Sequence, residues 1–283
     1  MQSLTKIGVV GAGAMGHGIA QVFAHAGYDV KLNDISIDFI VRGIKKIEEN
    51  LSRSVEKGRF NEDKKREIIS RIRSAPNISD FSDRELVVEA AVEKSEIKNQ
   101  IFRNLDSACS KSCILASNTS SIPLTQIAGL VSNPSRVAGM HFFNPVPVMK
   151  LVEIVRALQT SDATIKTIQE TSTKLGKISV LVKDSPGFVS NRILCPMINE
   201  AIFSLEEGIA SREDIDQVMK LGMNHPLGPL ELADFVGLDV VLDVLEVLYN
   251  EFQDSKYRAS PLLRRMVRAG YLGRKTKKGF YDY

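Results

Sequence analysis

The spacing of apolar residues changes along the chain, and each change predicts an element. Residues 5–10 form a short apolar run, as a buried strand requires. From Met15 to Ala26 the apolar positions recur at helical spacing, and Gly27 stands where a helix commonly ends. Tyr28 to Leu32 predicts a second strand, closed by Asn33-Asp34. These pieces make one strand–helix–strand unit of about 30 residues. Further strands are expected at Leu86–Ala90, Ile114–Ser117, Val137–Phe143, Leu151–Val155 and Val180–Val182. Strands alternating with helices predict an α/β fold with a mostly parallel, doubly wound, Rossmann-type sheet.

Two stretches break this rhythm. Ser36 to Ser74 is long, helical in pattern and dense in charge, with Lys45, Lys46, Arg53, Lys57 and Arg59 interleaved with Glu48, Glu49 and Glu56. This helical insert is either a solvated hairpin laced with i, i+4 pairs or a basic arm for a phosphorylated substrate; the pattern alone favours the first. From Phe188 onward the spacing is helical throughout, with stripes at Ile198–Leu205, Ile215–Leu221 and Leu238–Phe252. Ser211-Arg212-Glu213-Asp214 is expected to open a helix as a capping box. The boundary near Lys183 therefore separates an α/β domain, 1–183, from an all-α C-terminal domain, 184–283. The stripe from Val240 to Leu248 suits either a core within that domain or a contact between subunits.

Composition narrows the class. A formal charge of +3 on 283 residues is too small to argue for nucleic acid or an anionic membrane. No apolar run approaches the ~18 residues of a spanning helix, and the first residues lack the pattern of a signal peptide. The expected compartment is the cytoplasm. Cys109, Cys113 and Cys195 are an odd number of thiols without a secretory context, so no disulfide framework is expected. Cys109 and Cys113 lack a second pair to complete a zinc set, so no metal is expected.

The first chemical signal is Gly11-Ala12-Gly13-Ala14-Met15-Gly16. It follows a predicted strand, opens a predicted helix, and precedes an acid, Asp34, at the end of the next strand. Gly11 permits a tight turn, Gly13 lets a pyrophosphate approach the backbone, and Gly16 lets helix and strand pack closely. The helix N-terminus favours the phosphate charge. Asp34 would accept hydrogen bonds from ribose hydroxyls and repel a 2′-phosphate, so NAD is preferred over NADP. His17, just inside the helix, is expected at the surface or in packing.

The second signal is His141, which closes a strand and enters Phe142-Phe143-Asn144-Pro145. In doubly wound sheets the carboxyl ends of strands border the ligand crevice. Glu153 is a lone acid in the apolar run Leu151–Val155, so it needs a partner. A turn between the two strands would bring it beside His141, as a base-enhancing pair or a satisfied core pair. Ala116-Ser117-Asn118-Thr119-Ser120-Ser121 is a polar cluster at another strand end, suited to a substrate oxygen, the nicotinamide amide or a helix cap. A fourth segment, Asp184 to Arg192, lies at the expected junction, a common place for sites.

With these motifs in hand, the chain resembles the L-3-hydroxyacyl-CoA dehydrogenases nearly end to end. The likeness rests on the glycine turn, Val88-Glu89-Ala90-Ala91-Val92-Glu93, Ser117 to Ser121, His141 to Pro145, Asp184 to Phe188 with Asn191-Arg192, and Gly273-Arg274-Lys275-Thr276. The resemblance implies that His141 is a general base, that Glu153 orients it, and that Ser120 and Asn191 position substrate oxygens. It implies that Glu93, Lys98, Ser120, Asn144 and Lys275 contact NAD. It also turns the insert into the arm that meets CoA, through Lys57 and through Asn50, where animal members carry a serine. It further implies an acyl-CoA substrate, a single activity and a homodimer joined through the C-terminal domain. Two alternatives are an NAD enzyme acting on a free hydroxy acid and a non-catalytic NAD-binding protein.

Overall fold

In the computed structural model, which describes residues 4–283, the chain divides into two compact units, Met1–Asp184 and Ser185–Tyr283. In the first, β1 (Lys6–Val10) buries Ile7 and Val9 completely. A parallel strand covered on both faces has no polar side, hence a run instead of alternation. Next come α1 (Gly16–His25) and β2 (Asp29–Asn33). Gly27, one residue past the α1 cap, has φ 96°, the left-handed backbone expected of a helix stop. Ile19, Ala20 and Phe23 are the buried stripe of α1. Phe23→Ala would cost about 3–5 kcal/mol.

The insert forms α2 (Ile37–Glu56) and α3 (Glu62–Ser70), capped by Ser36 and Asn61. The charge pattern predicts helix through Ser74, but α3 ends at Ser70. Ile72–Ser74 is β3, paired with β2 at one edge of the sheet. A three-residue edge strand with only Ile72 buried is too short for a period of two to emerge. The ion pairs along α2 and α3 are mostly three residues apart, not four.

The remaining strands are β4 (Leu86–Glu89), β5 (Ile114–Ser117), β6 (Val137–Phe142), β7 (Leu151–Arg156) and β8 (Ile178–Lys183). Between them lie α4 (Ser95–Ala108), α5 (Leu124–Ala128) and α6 (Asp162–Lys174). Among the described residues the sheet order is β3-β2-β1-β4-β5-β6-β7-β8. All neighbours are parallel except β6 and β7, which run antiparallel. The chain leaves β1 toward β2 on one side and reaches β4 on the other, so β1 and β4 flank the switch point where such sheets bind ligands. The β8 strand is twice as long as the three residues predicted, because its exposed edge residues do not alternate.

The second unit is all helical: α7 (Ser190–Glu206), α8 (Arg212–Gln217), α9 (Pro229–Val236), α10 (Leu238–Phe252) and α11 (Pro261–Arg268). Its core gathers Ile198, Ile202, Leu230, Val241, Leu245, Leu248 and Leu263. Ser211 caps α8 by accepting from the Asp214 amide, and its hydroxyl donates to the Asp214 carboxylate. The expected stripe Ile215–Leu221 is not a packed helix face. After Gln217 the backbone widens into a π turn, Val218–Gly222, that leaves Val218 and Leu221 exposed. By contrast Val241, Val244 and Leu248 are core, while Val240 faces outward. Asp216 and Asp234 are buried acids; Asp216 accepts from the Leu230 and Glu231 amides that open α9, and Asp234 from the Phe280 and Tyr281 amides.

Candidate active site

The glycine turn follows β1 directly. Gly11 has φ 95°, and a Cβ there would stand 2.5 Å from the Ala90 carbonyl. A Cβ on Gly16 would stand 1.7 Å from the carbonyl oxygen of Gly11, the residue that follows β1, so only glycine lets the start of α1 come this close to it. Gly13 is different: a Cβ there would meet nothing within 4 Å, so hydrogen leaves room over the turn. No side chain caps α1, whose N-cap is Met15. Open space above uncapped amides fits a pyrophosphate.

Asp34 reaches back into this turn. Its Oδ2 accepts the Ala12 amide at 2.7 Å and its Oδ1 accepts the Ile35 amide at 2.7 Å. It is therefore a clamp on the turn as well as an acceptor of the type a ribose needs. His17 packs under the same turn, with Nδ1 2.7 Å from the Gly13 carbonyl. Burial holds its pKa below the usual histidine value, the Gly13 carbonyl works against that, and Lys46 adds to it.

At the ends of β6 and β7, His141 and Glu153 are direct partners in the antiparallel register. Residues opposite each other share a face, so the lone acid and the histidine meet. His141 Nδ1 lies 2.8 Å from Glu153 Oε2, and both side chains are buried. A carboxylate on Nδ1 selects the tautomer that carries its proton there and makes Nε2 the basic nitrogen. Phe143 packs against the His141 ring at 4.8 Å between centroids.

A second buried network joins β4, β5 and α4. Glu89, fully enclosed at the end of β4, accepts from Lys98 Nζ at 2.7 Å, from the Ala91 amide at 2.7 Å and from the Ser117 hydroxyl at 2.6 Å. Lys98 also reaches Glu93 Oε2 at 3.2 Å. Glu93 Oε1 accepts the Thr119 hydroxyl, the Ser120 amide at 2.8 Å and the Ser121 amide at 3.1 Å. Burial alone would raise the Glu93 pKa; Lys98 and these donors overcome it, so the carboxyl titrates below its ordinary value. Asn118 ties this network to the histidine strand: its Oδ1 accepts the Phe142 amide at 2.9 Å. Glu89 carries no role in the sequence reading, and Asn118 enters it only as one member of the polar cluster. The signal for Glu89 was the one used for Glu153, a lone acid in an apolar strand.

The other expected site residues are placed as follows. Lys98 is enclosed, its ammonium between two carboxylates. Asn144 is exposed just beyond β6. On the insert, Asn50 Nδ2 donates to Gln21 Oε1 at 3.4 Å, and Lys57 is exposed at the end of α2. In the helical unit, Asn191 is half-buried in the first turn of α7, and Lys275 pairs with Asp239. Burial pushes the Cys195 thiol up to about 12, which keeps it protonated and unreactive. Among the described residues no cluster of His, Cys, Asp or Glu is gathered as a metal site, and no helix is long and apolar enough to cross a membrane.

A glycine turn at the switch point and a buried histidine–carboxylate pair in one sheet are the features expected of a nucleotide-dependent dehydrogenase. Residues 6–185 match the family model for the NAD-binding domain of 3-hydroxyacyl-CoA dehydrogenase, and residues 187–283 match the model for its C-terminal domain. The chain belongs to the 3-hydroxyacyl-CoA dehydrogenase family. It is 50% identical over 280 residues to a probable 3-hydroxybutyryl-CoA dehydrogenase of Bacillus subtilis, covering 99% of this chain and 98% of that one. It is 51% identical to a 3-hydroxybutyryl-CoA dehydrogenase of Clostridioides difficile, covering 98% and 99%. The crystal structure of (S)-3-hydroxybutyryl-CoA dehydrogenase from Ralstonia eutropha superposes with a TM-score of 0.97, at 50% identity and 99% coverage of both chains.

Proposed function

We propose that this enzyme oxidises (S)-3-hydroxyacyl-CoA to 3-ketoacyl-CoA with NAD, and catalyses the reverse reduction, with 3-hydroxybutyryl-CoA as the favoured substrate. The observation that carries the chemistry is the 2.8 Å contact between His141 Nδ1 and Glu153. His141 acts as general base through Nε2, taking the proton of the C3 hydroxyl. Glu153 holds the Nδ1 proton and stabilises the imidazolium that results. In reduction, the same imidazolium gives its proton to the ketone oxygen. Proton transfer of this kind contributes about 10²–10⁴-fold. Ser120 and Asn191 position the substrate oxygen.

NAD, when bound, supplies the acceptor for the hydride that leaves C3. Gly11, Ala12, Gly13, Ala14, Met15 and Gly16 would hold its pyrophosphate, and Asp34 its adenosine ribose. Glu93, Lys98, Ser120, Asn144 and Lys275 are assigned to contacts with the cofactor. The insert, through Asn50 and Lys57, meets CoA. On this reading residues 1–183 are the cofactor domain, and 184–283 are the substrate and dimerisation domain. The exposed Val218, Leu221 and Met223 support an apolar face for a second copy.

The test is the disappearance of NADH absorbance with 3-ketoacyl-CoA substrates from four carbons upward, run in parallel with NADPH and with free 3-keto acids. Turnover with acetoacetyl-CoA and NADH is expected. Turnover only with the free acids would replace the proposal with a dehydrogenase of non-CoA hydroxy acids.

A further inference from the structure

The proposed reaction uses Ser120 but does not explain why Glu89 and Lys98 are both sealed from solvent nearby in the chain. We propose that Glu89 and Lys98 are positioning residues that act through Glu93 to hold the turn carrying Ser120.

The geometry runs in one direction. Lys98 Nζ bridges Glu89 Oε1 at 2.7 Å and Glu93 Oε2 at 3.2 Å. Glu89 fixes the lysine because its own place is fixed: it lies opposite Ser117 in the β4–β5 register and accepts that hydroxyl at 2.6 Å. With Oε2 turned to the lysine, Glu93 presents Oε1 to the Ser120 and Ser121 amides. Two carboxylates thus share one ammonium, and the amide and hydroxyl donors of the turn answer the remaining negative charge. Without the ammonium, two carboxylates would face each other in a poorly hydrated place. Glu89 is fully enclosed, whereas about a third of the Glu93 side chain meets solvent. Glu93 is therefore the one that would swing out, and the Ser120 turn would go with it. The Lys98 side chain is only 1% exposed, its ammonium turned to the two carboxylates.

The importance of Ser120 rests on the dehydrogenase reading; the way its turn is held does not. The test pairs amide hydrogen exchange at residues 117–122 with steady-state kinetics on the full chain. In Glu93→Gln and Lys98→Met, exchange at Ser120 and Ser121 is expected to rise at least about tenfold, since these amides lose their anchored acceptor. The kcat on acetoacetyl-CoA at saturating NADH should fall roughly 10- to 100-fold, as for misplacement of a reacting group and as weaker cofactor binding alone would not give. Glu89→Gln keeps Lys98 beside Glu93, and the double variant Glu89→Gln/Lys98→Met should recover part of the Lys98→Met loss, because the second carboxylate is gone. If Lys98→Met does not fold, Glu93→Gln decides. Unchanged exchange at Ser120 and Ser121 in Glu93→Gln overturns the proposal. So does a Lys98→Met loss confined to NADH affinity, which would mean direct contact with the cofactor. If exchange rises but neither Glu93→Gln nor Ser120→Ala alters turnover, the role of Ser120 fails and the positioning stands.

Discussion

The insert and the carboxyl end of the sheet are both rich in charge, and they use it in opposite ways. On α2 and α3 the ion pairs Lys46–Glu49, Lys64–Glu67, Lys65–Glu62 and Arg66–Asp63 link neighbours on one helix, mostly in solvent. Such pairs need nothing from the rest of the fold and contribute little. At the sheet's carboxyl end the charges are few and buried. Glu89–Lys98 and His141–Glu153 join residues from different elements. Removing one partner of a buried pair costs about 3–5 kcal/mol, because the other charge stays behind. The number of charges in a segment therefore does not mark the candidate site.

The largest effects should follow from breaking the buried side of this contrast. His141→Gln keeps a hydrogen-bonding side chain but has no basic nitrogen. Its turnover should fall at least about 10²-fold while NADH binding, read by fluorescence titration, is retained. Wild-type turnover in this variant would remove His141 from the chemistry. Asp34→Ala comes next. It removes both the charge proposed to repel a 2′-phosphate and the acceptor for the Ala12 amide. Affinity for NADH and NADPH should both weaken, and the ratio between them should move toward NADPH by about tenfold, the equivalent of about 1.4 kcal/mol. An unmoved ratio would assign cofactor preference to other residues.

Much of the sheet side of the contrast was legible beforehand. The glycine turn, Asp34 and the His141–Glu153 pair could be read because each follows from a local rule: a turn that needs glycine, a strand end, a lone acid that needs a partner. What stayed hidden depends on register between distant segments. No spacing along the chain shows that Glu89 will stand opposite Ser117, or that Asn118 will receive the Phe142 amide. The β3 strand was missed because three edge residues carry no period. The end of the Ile215–Leu221 stripe was missed because apolar spacing cannot show where a backbone widens into a π turn.

Acid should test the buried side more gently. The Glu93 pKa is lower in the folded protein than its ordinary value. Its contribution to stability is therefore complete above the ordinary glutamate pKa and is lost as pH falls through the folded value. Melting temperature followed from pH 7 down to about pH 3 should decline, and Glu93→Gln should flatten part of that decline. Parallel curves for the two proteins would mean that Glu93 titrates alike folded and unfolded.

The smallest effects belong to the insert, and there two cations separate its readings. Arg66 pairs with Asp63 one turn away, and both side chains are largely exposed. Arg66→Ala should shift the melting temperature by less than about 1 °C and leave kinetics alone. Lys57, exposed at the end of α2, has the same surface character but is assigned to CoA. Lys57→Ala should raise KM for acetoacetyl-CoA several-fold at low salt, with kcat near wild type. The difference should shrink toward 0.5 M salt, as screening between exposed charges requires. If Lys57→Ala is as silent as Arg66→Ala at every salt concentration, the insert is a solvated hairpin and CoA is met elsewhere.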